Sequence, residues 1–144
     1  MARLFGATHT LNPGSTPEVV KALKKLSAGG ADYAFECVGA GSVLGQAYGC
    51  LRKGGTAVMV GVARHDDMTS VRTNSFTFEE KVLTGSTFGG ARPRVDFPRL
   101  LGLYKSGRLK LDELITRRYG IDEAPIAFDD LSAGRNARGV IVFG

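Results

Sequence analysis

The stretch YAFECVGAGSVLG, residues 33–45, runs from an apolar segment through a glycine-rich turn into the start of a helix. Strand, glycine turn and helix N-terminus, in that order, are the parts of a dinucleotide-binding fingerprint, whose main-chain N–H groups meet a pyrophosphate. The third glycine of G-x-G-x-x-G belongs at position 44, where this chain has Leu44. Such a fingerprint also sits on the first strand of its fold, and here a complete strand–helix unit, residues 8–30, comes earlier. Gly39 and Gly41 are therefore expected to turn the backbone sharply at the carboxyl end of a strand, close to a bound ligand.

The flanking segments place that turn in an α/β fold. Residues 2–7, ARLFGA, read as the last turn of a helix stopped by Gly6, and residues 8–12, THTLN, as a short strand ended by Pro13 and Gly14. A helix follows, capped by Ser15 or Thr16, with Pro17 in its first turn; Val19, Leu23 and Leu26 form its apolar face, and Lys21, Lys24 and Lys25 face water. ADYAFECVG, residues 31–39, is an almost unbroken apolar run, as in a strand covered on both faces. Residues 42–52 read as a helix, LRKGG as a turn and TAVMVGV, residues 56–62, as a second buried strand. Strand and helix alternate through this region, which predicts a parallel sheet. KVLTGSTFGG gives a further strand, and a helix over 95–106 is broken by Gly107. A strand over 111–115, a helix over 122–134 and a closing strand, RGVIVF, complete the chain.

Composition narrows the function classes. The length suits one domain, and 20 glycines in 144 residues are about twice the usual ~7 %, which predicts many tight turns and close backbone approaches. The net charge of +5 is spread over short groups such as Lys24-Lys25 and Arg117-Arg118, with no tryptophan and no aromatic residues interleaved with a basic stripe, so no nucleic-acid partner is expected. No apolar run is long enough to span a bilayer, and no membrane association is expected. Cys37 and Cys50 are too few for a disulfide framework; both are read as small buried hydrophobes in a cytoplasmic protein. His9, His65, Cys37 and Cys50 share no metal-ligand spacing. His9 is read as structural and His65 as a solvated loop residue. Arg64, just past the second buried strand, is placed to meet a 2′-phosphate.

The segments FGATHTLNP, GGADYAFECVG, LRKGGTAVMVGV, TGSTFGG and LITRRYGIDEAPIAFDDLSAGRNARGVIVF together resemble the C-terminal part of the zinc-type alcohol dehydrogenases of the medium-chain dehydrogenase/reductase superfamily. The resemblance runs in order through nearly the whole chain, with VGV followed by FGG and a terminal R-x-V-I-V-F as its most specific part. It implies an incomplete NAD(P)-binding Rossmann domain over 1–88, holding the second half of a doubly wound parallel sheet, and a segment over 89–144 that packs back on a catalytic domain. Val60, Gly61 and Val62 would line the nicotinamide pocket, with Gly61 letting the ring approach the backbone. Ser86, Thr87 and Phe88 would complete it. Val38 and Gly39 would lie near the cofactor riboses, and Arg138 would reach the pyrophosphate.

In the family, zinc polarises an alcohol oxygen while the cofactor takes a hydride. The family's glycine fingerprint, its acidic ribose-binding residue and its zinc ligands correspond to positions before Met1. No catalytic residue and no metal ligand are therefore assigned here, and the isolated chain is expected to be inactive. NAD is the expected cofactor, with NADP not separable from sequence. The family also pairs the last strand of its cofactor domain between subunits, so an edge strand at 82–88 is expected to join a homo-oligomer. Two other readings stay open: a stand-alone nucleotide-binding or dimerisation module, and part of a zinc-independent quinone or enoyl reductase.

Overall fold

Alternation of inward and outward side chains builds the first strand, β1 (Ala31–Glu36). In the computed structural model, which describes all 144 residues, Ala34 and Glu36 of this strand point inward, while Tyr33 and Phe35 stay 66 % and 64 % exposed. The expectation of a strand buried on both faces is corrected for β1. α1 (Val19–Leu26) precedes it, and α2 (Gly41–Gly49) carries the chain to β2 (Leu51–Met59). α3 (Asn74–Phe78), a short helix not anticipated from sequence, comes before β3 (Val82–Gly85). The sheet is parallel in the order β1-β2-β3, with Ala34 opposite Ala57 and Ala57 opposite Leu83. Its core is small: Tyr48, Leu51 and Ala57 are buried, and Ala34, Val71 and Leu83 pack against them.

These elements belong to one compact unit, Met1–Ala91; a second comprises Arg92–Gly144. The second contains α4 (Pro93–Lys105), β4 (Arg117–Gly120), α5 (Ala124–Ser132) and β5 (Gly139–Val142), with β4 and β5 parallel to each other. α4 leaves Val95, Phe97, Leu100 and Leu101 exposed. No helix is long and apolar enough to cross a membrane.

Several local expectations are met. Gly6 takes the left-handed conformation that ends the opening 3₁₀ turn, and Gly107, at φ 70°, follows the end of α4. Others need correction. Residues 8–12 pair with no strand; Asn12 instead accepts the Gly14 N–H at 2.9 Å and caps a 3₁₀ turn over Pro13–Ser15. That turn draws Ser15 away from α1, which begins without a side-chain cap. LRKGG is no turn but the opening of β2: Leu51 pairs with Ala31, and the register slips before Thr56, with Gly54 at φ 70° absorbing the irregularity. The strand expected at 111–115 is a 3₁₀ turn at Asp112–Leu114, and pairing starts at Arg117. Cys50 is buried as expected, but Cys37 is exposed.

Candidate functional site

The carboxyl ends of β1 and β2 are tied together by Glu36. Its main-chain oxygen accepts the N–H groups of Val60 at 2.8 Å and Gly61 at 2.9 Å. Its buried carboxylate turns the other way: Oε1 accepts from Val38 N at 2.8 Å and Gly39 N at 2.9 Å. Gly39 sits at φ 86°, where glycine is favoured, and a Cβ there would strike the Val62 carbonyl. A Cβ on Gly61 would strike Gly39 N and stand 2.8 Å from Glu36 Oε2. The absence of a side chain at Gly61 therefore serves a contact between two loops.

The same geometry answers the question raised by the glycine turn. The N–H groups of Val38 and Gly39 are already taken by Glu36, and Gly41 N donates to Asp67 Oδ2 at 2.5 Å. A Cβ on Gly41 would meet the Met68 carbonyl, so the loop after β2 lies against the start of α2. The place a phosphate would take is filled by the chain's own carboxylates and loop. Arg64, the cation considered for a 2′-phosphate, is held by Asp66 through paired contacts of 3.1 Å.

Beyond the tied strand ends, β2 and β3 open onto a cavity of about 540 Å³ lined by Met59, Val60, Gly61, Val62, Gly85, Ser86, Thr87 and Phe88. All six residues anticipated for the nicotinamide side, at 60–62 and 86–88, thus converge on one hollow. Ser86 N donates to the Met59 carbonyl at 2.9 Å and fixes one wall. Phe88 adopts φ 50°, unusual for a bulky residue, ahead of Gly89 at 67° and Gly90 at 64°. Val62 is 93 % exposed and Phe88 91 %. Apolar side chains grouped at a concave mouth and left without protein cover mark a ligand-sized site. Val38, also exposed, and Gly39 sit at the adjoining end of β1.

Arg138 belongs to the second unit, where it is exposed just ahead of β5. Its main chain is held by Thr116: Thr116 N donates to the Arg138 carbonyl at 3.1 Å, and Ala137 N donates to Thr116 Oγ1 at 3.0 Å. Close by, Asp130 collects Tyr119 OH at 2.7 Å, Arg117 at 2.7 Å and Arg135 at 2.5 Å, and Asn136 donates to Tyr119 OH at 2.7 Å. The Tyr119 hydroxyl first, then Arg135, holds the Asp130 carboxyl below the usual carboxylate range, and burial pushes the Tyr119 phenol up. A depressed carboxyl stabilises the fold above its unfolded value, about 3.9 for Asp, and that contribution is lost as pH falls through the folded value. Thermal unfolding of Asp130→Asn and wild type is accordingly expected to differ most near neutrality and to draw together as pH falls through the depressed folded value of Asp130. A difference that persists unchanged in acid would assign the effect to packing.

His9 and His65 are exposed and lie in no strand. His9 Nδ1 contacts only its neighbour Thr8, at 3.1 Å, which corrects its reading as a strand residue. No three side chains of His, Cys, Asp or Glu come together in a group that could hold a metal ion.

Residues 1–106 match the zinc-binding dehydrogenase family. This chain belongs to that family. It is 34 % identical to the S-(hydroxymethyl)glutathione dehydrogenase of Paracoccus denitrificans over 99 % of this chain and 40 % of the relative. It is 39 % identical to the NDMA-dependent alcohol dehydrogenase of Amycolatopsis methanolica, over 96 % of this chain and 38 % of that one. Among solved structures, benzyl alcohol dehydrogenase from Acinetobacter calcoaceticus superimposes with a TM-score of 0.90 at 27 % identity, covering 99 % of this chain and 39 % of the other. A zinc-binding dehydrogenase from Sinorhizobium meliloti bound to NADP superimposes at 0.76 with 30 % identity, over 91 % and 37 % of the two chains. The chain thus spans about two fifths of these zinc-binding dehydrogenases, and the part it matches is their C-terminal, cofactor-binding portion.

Proposed function

We propose that this chain supplies the nicotinamide-binding part of an NAD-dependent, zinc-type alcohol dehydrogenase that interconverts an alcohol and its carbonyl compound. The observation that carries the reading is the convergence of Val60, Gly61, Val62, Ser86, Thr87 and Phe88 on one cavity. Its size suits a flat ring with its ribose, and its exposed valines and phenylalanine offer that ring apolar walls. When bound, the nicotinamide takes or returns the hydride. The chain's own residues bind and orient it: Val62 and Phe88 exclude water from its faces, and main-chain groups of 86–88 hold the carboxamide. Val38 and Gly39 flank the ribose, and Arg138 offers a guanidinium to phosphate oxygens.

NAD is proposed as the cofactor, with NADP as the alternative that the titration below separates. Two free cysteines, one of them exposed, fit a reducing, cytoplasmic setting. β3, at the edge of its sheet with Val82 half exposed, is the strand proposed to pair with a second copy. The domain division near residue 88 is likewise proposed as the end of the cofactor-binding part.

Calorimetric titration of the full chain with NADH and NADPH tests the reading. Saturable heat, stronger for NADH and weakened by Arg138→Ala, is the expected result. No binding at millimolar cofactor would make the chain an assembly module, and tighter binding of NADPH would reverse the cofactor assignment.

A further inference from the structure

Glu36 is 1 % exposed, and its side chain is among the largest fully buried ones. Lys81, buried in the same unit, meets the Glu79 carboxylate at 2.6 Å. Glu36 is different: its carboxylate rests on main-chain N–H groups, those of Val38 and Gly39. Enclosing a carboxylate is costly unless hydrogen bonds compensate it, and an apolar side chain of similar volume would fill the same space without that cost. What an apolar residue cannot do is accept two N–H groups and so fix the direction in which the chain leaves β1.

Two of the residues it fixes, Val60 and Gly61, line the cavity. The carboxylate holds Val38 and Gly39, and the main-chain oxygen of the same residue holds Val60 and Gly61. Between the two segments, Gly39 N and Glu36 Oε2 fill the space beside Gly61. The carboxylate thus bonds the 38–39 turn and packs beside Gly61 through Oε2, while the main-chain oxygen bonds 60–61, so both segments are anchored on one residue.

We propose that Glu36 is the positioning residue of the cofactor pocket, its buried carboxylate and main-chain oxygen together setting the distance between the 38–39 turn and the 60–62 wall. The inference rests on the nicotinamide reading of that cavity. It assigns Glu36 no contact with the cofactor and no proton transfer.

The test is NADH affinity of the full chain, measured alongside thermal stability. Glu36→Gln keeps an oxygen able to accept both N–H groups and is expected to bind within about threefold of wild type. Glu36→Leu keeps volume without an acceptor, and Glu36→Asp withdraws the carboxylate by one methylene; each is expected to weaken NADH about tenfold or more. Ser75→Ala, which removes the 2.7 Å contact between Tyr48 and Ser75 elsewhere in the unit, is expected to lower the melting temperature and leave affinity unchanged. Glu36→Asp is the informative variant if Glu36→Leu does not fold. Wild-type affinity in Glu36→Asp would overturn the proposal, as would a loss in Ser75→Ala that tracks stability in the same proportion. In either case the nicotinamide reading stands. Absence of NADH binding by the wild-type chain would remove both.

Discussion

Gly61→Ala is expected to destabilise the first unit by about 2–3 kcal/mol and to abolish measurable NADH binding. The added methyl would overlap Gly39 N and lie 2.8 Å from both Gly39 Cα and Glu36 Oε2. Two of these neighbours are backbone and the third is a carboxylate locked by its own hydrogen bonds, so none gives way cheaply. Relief requires the ends of β1 and β2 to part, which breaks the bonds from Val60 N and Gly61 N to the Glu36 carbonyl and distorts the cavity wall. Gly102 is the contrasting position. It lies within α4, and a Cβ there meets nothing within 4 Å, so Gly102→Ala is expected to stabilise the second unit by about 0.5–1 kcal/mol. Urea unfolding followed by circular dichroism reads both. A Gly61→Ala midpoint equal to wild type would show that the loops slide apart freely.

Leu51→Ala is expected to cost about 2–4 kcal/mol. Leu51 is 1 % exposed at the first position of β2 and packs with Tyr48 and Ala57 in a core of few residues. Tyr48 has its ring against Phe76 and its hydroxyl on Ser75, so it is poorly placed to collapse into the space vacated. Domain stabilities are typically about 5–15 kcal/mol, which makes this one truncation a large share of the total. Leu26→Ala, at a leucine 45 % exposed at the end of α1, is expected to cost under about 1 kcal/mol. Near-equal losses at the two sites would contradict the assignment of the core.

The sheet was legible because apolar runs announced its strands, and glycines marked where helices stop. What escaped did so because pairing is decided by partners distant in sequence. Leu51 opens a strand although LRKGG reads as punctuation, because pairing with Ala31 and the slip before Thr56 are tertiary facts. β4 hid behind Arg117 and Arg118; the strand is sustained by buried Tyr119, with the Arg117 guanidinium 4.8 Å above its ring and bonded to Asp130. Residues 8–12 have strand-forming composition and no partner, and composition without a partner gives no ladder.

At the site, the two tripeptides came from the resemblance, and the structure puts them around one cavity. Glu36 went unrecognised because a charge inside an apolar run looks like a solvent-facing interruption. One signal was present: an acidic residue at a strand end just ahead of a glycine turn whose N–H groups need acceptors. Asp67 held no such signal, since its partner Gly41 lies far away in sequence.

The most direct test of the central claim is the map of backbone amide shifts when NADH is added to the ¹⁵N-labelled full chain. The account predicts saturable shifts centred on Val60, Gly61, Val62, Ser86, Thr87 and Phe88. Shifts centred on the open groove beside Pro17, Val20 and Lys24, or at the Gly39–Gly41 turn without the six, would contradict it.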